Sequence, residues 1–407
     1  MIIRNTKKLI PVVILDITFA GYDIIRSLHA YKIPMYALSY KKNCIEARTN
    51  RLKKIVDYDS EEDLLHKLIQ LTDKLNDKPI LYLTNDHRLE FVIKNYETIT
   101  NLFLINLPTV DILKVLLDKS KFNDFALKHD IQTPKSITIN KFEDSEQIKN
   151  FNFPIVIKPN LKTKAWHKHD MPKALKFNNL TDFLDNFPSI YRIQNELLIQ
   201  EFIPGKDDDI FFCYVYFNKR GELINTFTGQ KIRQWKPIIG TTSILRSIEI
   251  PEIKEMTICF FTKINYKGFG SVEYKLNRKN GKYYIIEPTA GRYDLLVHSA
   301  TVAGINIPLT HYCDLSGIII KPKETLNKNI VYINETSEMQ SAVHALKTKE
   351  ITLRKLLHSY KGKICFRYIY LSDFRVSGKA LYIVSRFIVG QIVRYIWQTI
   401  LQHKKHT

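Results

Sequence analysis

Short apolar runs alternate with helical periodicities over the first hundred residues. Ile10 to Leu15 is rich in β-branched side chains and ends in Asp16-Ile17-Thr18-Phe19-Ala20-Gly21. Ile24, Ile25, Leu28 and His29 then recur at helical spacing, and Ile33 to Leu38 predicts a second strand. Strand, glycine-containing turn, helix and strand make a βαβ unit. Ile55-Val56, the helical set Leu64, Leu65, Leu68 and Ile69, and the strand Ile80 to Leu83 continue the alternation. Residues 1–110 therefore predict a small doubly wound α/β domain. Its ligand edge lies at the carboxyl ends of the strands, near Asp16 and Thr84-Asn85-Asp86.

Pro108 opens a different texture. Asp111 to Leu117 and Lys119 to His129 predict helices. Phe153 to Pro159, Leu197 to Ile203 and Ile210 to Phe217 predict strands, Thr257 to Ile264 a helix, and Gly268 to Tyr274 a further strand. The last is joined through a turn at Asn277 to Gly281 to a partner at Tyr283 to Glu287. Residues 111–320 thus predict an α+β region with antiparallel pairing. The pattern weakens after Gly317, and residues 321–407 predict a basic C-terminal extension.

Composition adds three constraints. The 407 residues prompt roughly two to three domains. A formal charge of +20 calls for an anionic partner such as a nucleotide, a nucleic acid or an acidic membrane. The basic residues are dispersed and mostly Lys, with no nucleic-acid motif, so nucleic acid is not the expected partner. Cys44, Cys213, Cys259, Cys313 and Cys365 form no CxxC pair, which argues against zinc or a disulfide framework and for a reducing compartment. No stretch of about 20 residues is free of charge, so no conventional span is expected. Arg4, Lys7 and Lys8 before the run from Leu9 to Ala20 imitate a signal peptide, but Asp16 interrupts the run and the chain continues as an amphipathic pattern.

Four segments carry candidate chemistry. Lys158 closes the run Ile155-Val156-Ile157, where its ammonium leaves the sheet end and a phosphate can take it. A solvated surface lysine satisfies the same pattern. Gln200-Glu201-Phe202-Ile203 runs into Pro204-Gly205 and the acids Asp207, Asp208 and Asp209. A strand stopping at Pro-Gly exposes backbone groups able to read a purine edge, and the acids beyond can accept from ribose hydroxyls. An acidic turn between strands is the alternative. Glu273 and Glu287 sit on two strands joined by a turn, a placement that brings two carboxylates to one face to share divalent cations. Pairing with the abundant lysines is the other reading. Arg292, in Pro288-Thr289-Ala290-Gly291-Arg292, offers a planar fork to an anion.

In this order, Lys119 before a helix, Phe-Pro-Ile-Val-Ile-Lys158-Pro, Gln200-Glu201-Phe202-Ile203-Pro-Gly, Glu273 and Glu287-Pro-Thr-Ala-Gly-Arg292 resemble the ATP-grasp superfamily. Within it they resemble carboxylate–amine ligases similar to D-aspartate ligase, over roughly residues 10–317. The resemblance implies a Rossmann-like pre-ATP-grasp domain, then ATP-grasp domains, then a helical C-terminal extension. It implies ATP and Mg2+ as cofactors. Lys119 and Lys158 would hold the ATP phosphates, and Gln200 and Glu201 with the backbone of Phe202 and Ile203 would form the adenine hinge. Asp207 or Asp208 would be the ribose acid. Glu273, Glu287 and Thr289 would be the metal ligands, and Lys158 and Arg292 the catalytic cations. Two departures stand out. The loop after Lys158, Asn160 to His169, has no glycine, where the family covers phosphates with backbone N–H groups. The family's Glu-x-Asn-x-Arg is here Glu287-Pro-Thr289-Ala-Gly-Arg292, which puts the second metal site in question.

The implied activity is ligation of a carboxylate to an amine through an acyl-phosphate, with release of ADP and phosphate. The alternative is a nucleotide-binding module with little or no ligase activity. The partners implied are small-molecule carboxylate and amine substrates, with the oligomeric state open and a homodimer among the options. His167, His169, Tyr293, Asp294 and His298 are candidates for the acceptor pocket. Leu381 to Leu401 is mostly apolar, with Arg386, Gly390, Arg394 and Gln398 in one polar stripe. Two arginines argue against a span. An interfacial helix on an anionic membrane fits, as does a helix packed on the ligase core or on another subunit. The expected location is cytoplasmic, at the inner membrane face if the helix binds lipid.

Overall fold

β-Branched runs bounded by turns form the expected parallel sheet. In the computed structural model, β1 (Val12–Leu15), β2 (Met35–Ser39), β3 (Lys54–Asp57) and β4 (Ile80–Leu83) lie in the order β3-β2-β1-β4. The structure describes residues 9–40, 43–160, 163–172, 174–237, 240–319 and 329–403, without the side chains of Lys164, His167 and residues 392–403. Alternate residues of β1 enter different cores. Val12 and Ile14 join the cluster of helix Ala20–His29, and Val13 and Leu15 join that of helix Glu61–Leu75. A strand buried on both faces is what a parallel sheet with helices on both sides requires.

A second sheet holds β5 (Ser136–Ile139), β6 (Ile155–Pro159), β7 (Leu175–Phe177) and β8 (Leu197–Glu201), ordered β5-β8-β6-β7 with antiparallel pairing. Helix Leu180–Ile193 and Trp166 close its own small core. The third sheet is the largest. It contains β9 (Ile210–Phe217), β10 (Leu223–Trp235), β11 (Thr241–Ser247), β12 (Gly268–Asn277), β13 (Lys282–Ala290), β14 (Ile330–Ile333) and β15 (Lys363–Phe366), in the order β13-β12-β9-β10-β11-β14-β15. Phe212, Tyr214 and Tyr216 of β9 enter the first N-terminal cluster and Phe211, Cys213 and Val215 the second, so the first and third sheets share their cores.

The sequence reading placed no element at β10 or β11, because β10 alternates Asn225, Thr226, Thr228, Gln230, Lys231, Arg233 and Gln234 with few large apolar residues. One expectation needs correction. Residues 321–407 are more than an extension. Residues 330–366 extend the largest sheet by two strands, and buried polar contacts bind them in place. Glu338, on helix Glu335–Lys347, pairs with Arg233 of β10 and accepts from Ser243 Oγ at 2.7 Å and Tyr360 Oη at 2.7 Å. Arg26 Nη1 donates to the carbonyls of Phe366 at 2.9 Å and Arg367 at 2.7 Å. Asp23, fully buried, accepts from Tyr332 Oη at 2.7 Å and faces Arg367 at 3.6 Å.

The chain ends its described part in one helix, Phe374–His403, which contains the span foreseen at 381–401. Val376 and Ala380 are fully buried against Tyr22 and Tyr368. Among the described residues, no helix is long and apolar enough to cross a membrane.

Removing one partner of a buried ion pair strands the other charge, at a cost of about 3–5 kcal/mol. Glu338→Ala is therefore expected to lower the unfolding midpoint substantially, read by thermal or urea denaturation, while Glu222→Ala in an exposed pair leaves it nearly unchanged. A second expectation concerns acid. His311 is buried among Tyr82, Tyr216 and Tyr293, and burial pushes its pKa down to about 3 from 6.5. Between these values the unfolded chain holds the proton and the folded chain does not. Stability contributed by neutral His311 therefore falls as pH drops from about 6.5 towards 3, by up to about 1.4 kcal/mol per pH unit. His298, lowered by burial and then by Arg26, Arg51 and Arg367, adds to the same slope. Urea midpoints measured from pH 7 to 5 should fall, and fall less steeply in His311→Gln.

Candidate active site

A cavity of about 620 Å³ opens where the three sheets approach one another. The second sheet forms one wall, the third sheet the opposite wall, and the carboxyl end of β4, from Asn85 to Glu90, the far end. Lys119, Lys158, Gln200, Glu201, Phe202, Ile203, Asp207, Glu273, Glu287, Thr289 and Arg292 all line it. Asp208 does not. Its backbone carbonyl accepts from Gln230 Nε2 at 2.7 Å, and its Oδ1 is buried away from the cavity.

On the second-sheet wall, Lys158 Nζ donates to Gln200 Oε1 at 3.1 Å, and Gln200 Nε2 donates to Ser136 Oγ at 3.0 Å. Lys158 and Gln200 stand on paired strands, so the amide holds the ammonium at the rim. Lys119, the first residue of helix Lys119–Lys128, reaches the Asn160 carbonyl at 3.2 Å. Two ammonium groups thus converge on the same stretch of chain. Along the segment expected as a hinge the backbone donors differ in their partners. Glu201 N–H is taken by Lys135 O at 2.9 Å and Phe202 N–H by Pro154 O at 2.9 Å. Ile203 N–H, next along, donates to no backbone carbonyl among the described residues. The Glu201 carboxylate turns to Asn152, accepting from its N–H at 2.8 Å and Nδ2 at 3.1 Å. Asp207 accepts from Gln234 N–H at 2.9 Å and Nε2 at 3.0 Å, which fixes its carboxylate at the rim.

On the opposite wall the register of β12 and β13 sets the geometry. Glu273 stands directly across from Glu287, and Ser271 across from Thr289, with a bulge between Glu273 and Tyr274. Directly opposed residues of an antiparallel pair project to one face with Cβ atoms about 4.5–5.5 Å apart. Lys231 of β10 pairs with Glu273 from across β9. Lys275, two residues beyond Glu273 and so on the same face, donates to Lys206 O. Burial pulls the Lys275 pKa below the ordinary lysine value, against the opposing pull of Asp209, Asp207, Asp208 and Glu273. Lys231, Gln234 and Lys275 were not singled out in the sequence. For Lys275 the signal was available in its two-residue spacing from Glu273.

Gly291 has φ +67, and a Cβ there would crowd Leu113, Leu89 and Leu107. That turn carries Arg292 back toward the first sheet, where Nε meets Asp86 Oδ1 at 2.5 Å and Nη2 meets Oδ2 at 3.3 Å. Burial works against the Arg292 charge, but Asp86 outweighs it and the pKa is raised. Among the acceptor-pocket candidates, Tyr293 stacks on Phe269 and bonds His311 Nδ1 at 3.0 Å, while His298 bonds Ser27 Oγ at 2.9 Å. Both are core residues outside the cavity lining. Asp294 is half-buried, accepts from Ser271 Oγ at 3.2 Å, and has its pKa raised by desolvation against the pull of Arg292. His169 is exposed, and the His167 side chain lies outside the described residues.

Among the described residues, no group of three or more His, Cys, Asp or Glu is clustered for a metal. The facing pair Glu273 and Glu287 nonetheless fits Mg2+, which characteristically takes one or two carboxylates and draws its remaining ligands from phosphates and water.

No family model matches the chain. D-aspartate ligase of Enterococcus faecium is 21% identical over 269 residues, 62% of this chain and 63% of that protein. D-alanine–D-alanine ligase of Pelagibacter ubique is 24% identical over 186 residues, 42% of this chain and 57% of that protein. The matches thus span about three-fifths of the length of these relatives. Among solved structures, the biotin carboxylase domain of Hydrogenobacter thermophilus 2-oxoglutarate carboxylase, a dimer in complex with MgADP, ADP and bicarbonate, matches with a TM-score of 0.61. The identity is 13%, covering 80% of this chain and 74% of that one. The chain has the ATP-grasp fold, and its sequence is similar to that of carboxylate–amine ligases built on it.

Proposed function

We propose that the protein is an ATP-dependent ligase that joins a carboxylate to an amine. The observation that carries this reading is one cavity with Lys119 and Lys158 on one wall and Glu273, Glu287 and Arg292 on the other. The similarity to D-aspartate and D-alanine–D-alanine ligases supports the same chemistry. The purine would lie against Ile203 N–H, with Asp207 at the ribose and the two lysines on the phosphates. Glu273 and Glu287 would hold Mg2+, which neutralises charge on the phosphoryl group in transit. A substrate carboxylate oxygen attacks the γ-phosphorus and ADP leaves. The amine nitrogen then attacks the acyl carbon of the acyl-phosphate, losing a proton as phosphate departs. Lys158 and Arg292 act by position and charge, the main source of catalysis in phosphoryl transfer. Arg292 is already presented as a fork by Asp86, and an incoming anion competes with that carboxylate.

The test is ADP release in the presence of candidate amino-acid pairs, with the amide product identified by mass spectrometry. ATP binding without ADP release for any pair would assign the protein as a nucleotide-binding module instead. Lys158→Ala should cost about 1.5–3 kcal/mol of charge-assisted bonding. Nucleotide titration of the folded variant should then show ATP affinity lower by roughly 10- to 100-fold. Unchanged affinity removes Lys158 from the site. Glu287→Gln keeps the side-chain shape but offers a hard cation a neutral amide. Turnover should collapse at every magnesium concentration, with the unfolding midpoint preserved. Activity near wild type at limiting magnesium would refute the assignment.

A further inference from the structure

Over residues 374–391, whose side chains are described, the Phe374–His403 helix is apolar on two sides, and only one of them is covered. Val376 and Ala380 are fully buried, and Ile383, Val384 and Phe387 continue that face as half-buried residues. Gln391 receives Lys347 Nζ at 3.1 Å, so the helix is held along the protein to at least that point. From residue 374 to 391 this is about 27 Å of helix. The other face is open. Phe374 is 66% exposed, Leu381 51%, Tyr382 51%, Ile388 48% and Val389 58%, and Leu371, just ahead of the helix, is 99% exposed. A helix apolar all round ordinarily has both sides covered.

Charge says what covers the open side. Between Phe374 and Thr407 there is no Asp or Glu, whereas Arg375, Lys379, Arg386, Arg394, Lys404 and Lys405 are all cationic. Beside the helix start lies a groove of about 730 Å³ lined by Arg48, Arg375 and Lys379 together with Phe374 and Tyr382, and no carboxylate enters its lining. Lys379 and Arg386 sit over the Tyr382 ring at 5.1 and 5.8 Å, so cations and apolar side chains share the same surface. A second copy of this strip would set cation against cation with no acid to answer it. A nucleic acid would use the cations but leave Leu381, Ile388 and Val389 in water. A phospholipid surface of negative charge takes both, the apolar side chains at the acyl boundary and the Lys and Arg heads among the phosphates.

We propose that the outward face of this helix over residues 374–391, with the basic groove at its start, docks the protein on an anionic phospholipid surface. The binding is interfacial and independent of the catalytic cavity. The test is co-sedimentation of the full chain with vesicles of phosphatidylcholine alone and of phosphatidylcholine with phosphatidylglycerol in equal parts. Wild type should sediment with the anionic vesicles and stay in solution with the neutral ones. Leu381→Asp with Val389→Asp alters only exposed side chains, and should weaken anionic-vesicle binding by roughly tenfold or more. Arg375→Gln with Lys379→Gln should weaken it and flatten its salt dependence. Circular dichroism and ATP affinity should not change in either variant, which separates the docking surface from the nucleotide site. The proposal fails if wild type ignores anionic vesicles, binds neutral ones equally, or binds with the same affinity in both variants. It fails equally if the Asp pair abolishes a dimer in sedimentation equilibrium without any vesicle binding by wild type, or if duplex DNA is captured in preference to the vesicles.

Discussion

The site depends on the register of one antiparallel pair. β12 and β13 set Glu273 across from Glu287, and a slip of β13 by one residue would turn Glu287 to the other face of the sheet, away from Glu273. Several features hold this register. The turn from Asn277 to Gly281 closes the pair, with Gly281 N–H on Asn277 O at 2.8 Å. Beyond the carboxylates, Gly291 N–H donates to Tyr266 Oη at 2.8 Å, which anchors the chain where it leaves the sheet. Two carboxylates so close repel one another unless a cation intervenes, and Lys231 supplies one to Glu273. On the same strand as Lys231, Gly229 leaves room for the Phe212 ring, which a Cβ there would strike.

Paired charge also helps to fix the C-terminal part of the molecule. Of the strands added after residue 329, β14 is buried along its whole length, with Ile330, Val331 and Tyr332 fully buried, whereas Ile364 of β15 is 44% exposed. Polar groups withdrawn from water add to that apolar packing. Glu335 accepts from the N–H groups of Arg367, Tyr368 and Ile369 at 3.1, 2.8 and 2.7 Å. Asp373 accepts from Thr49 Oγ1 at 2.6 Å and Tyr22 Oη at 3.1 Å, and lies 3.4 Å from Arg51 Nε. Such matched burial specifies one arrangement of first helix, third sheet and C-terminal segment, because any other leaves charges stranded.

What the sequence made legible follows from this. Strands with a repetitive apolar signal, such as Val12–Leu15, Ile210–Phe217 and Lys282–Ala290, were placed within a few residues. The pairing of Glu273 with Glu287 followed from a local turn. β10 was illegible because its buried positions include Asn225, Thr228, Lys231, Arg233 and Gln234, whose partners come from remote parts of the chain. Glu338 lies 105 residues from Arg233 and Asp207 27 residues from Gln234. No spacing rule reaches that far. Which of Asp207 and Asp208 lines the cavity was likewise illegible, since Asp207 is held there by Gln234. Three adjacent acids on a single turn point in different directions, and only the neighbour that each one finds tells them apart.

Among the described residues, the lining of the cavity runs against the chain's overall charge. Asp86, Glu90, Glu201, Asp207, Glu273 and Glu287 line it, against Lys119, Lys158, Lys275 and Arg292. The described carboxylates thus outnumber the described cations there, in a protein of formal charge +20. The proposed nucleotide would meet two ammonium groups on one wall and, on the other, Lys275 and Arg292 beside the facing carboxylates Glu273 and Glu287. Lys231 already answers Glu273, and Mg2+ held by Glu273 and Glu287 would set a divalent charge between those carboxylates and the phosphates. On that reading the metal would serve the recognition of the nucleotide as well as its chemistry.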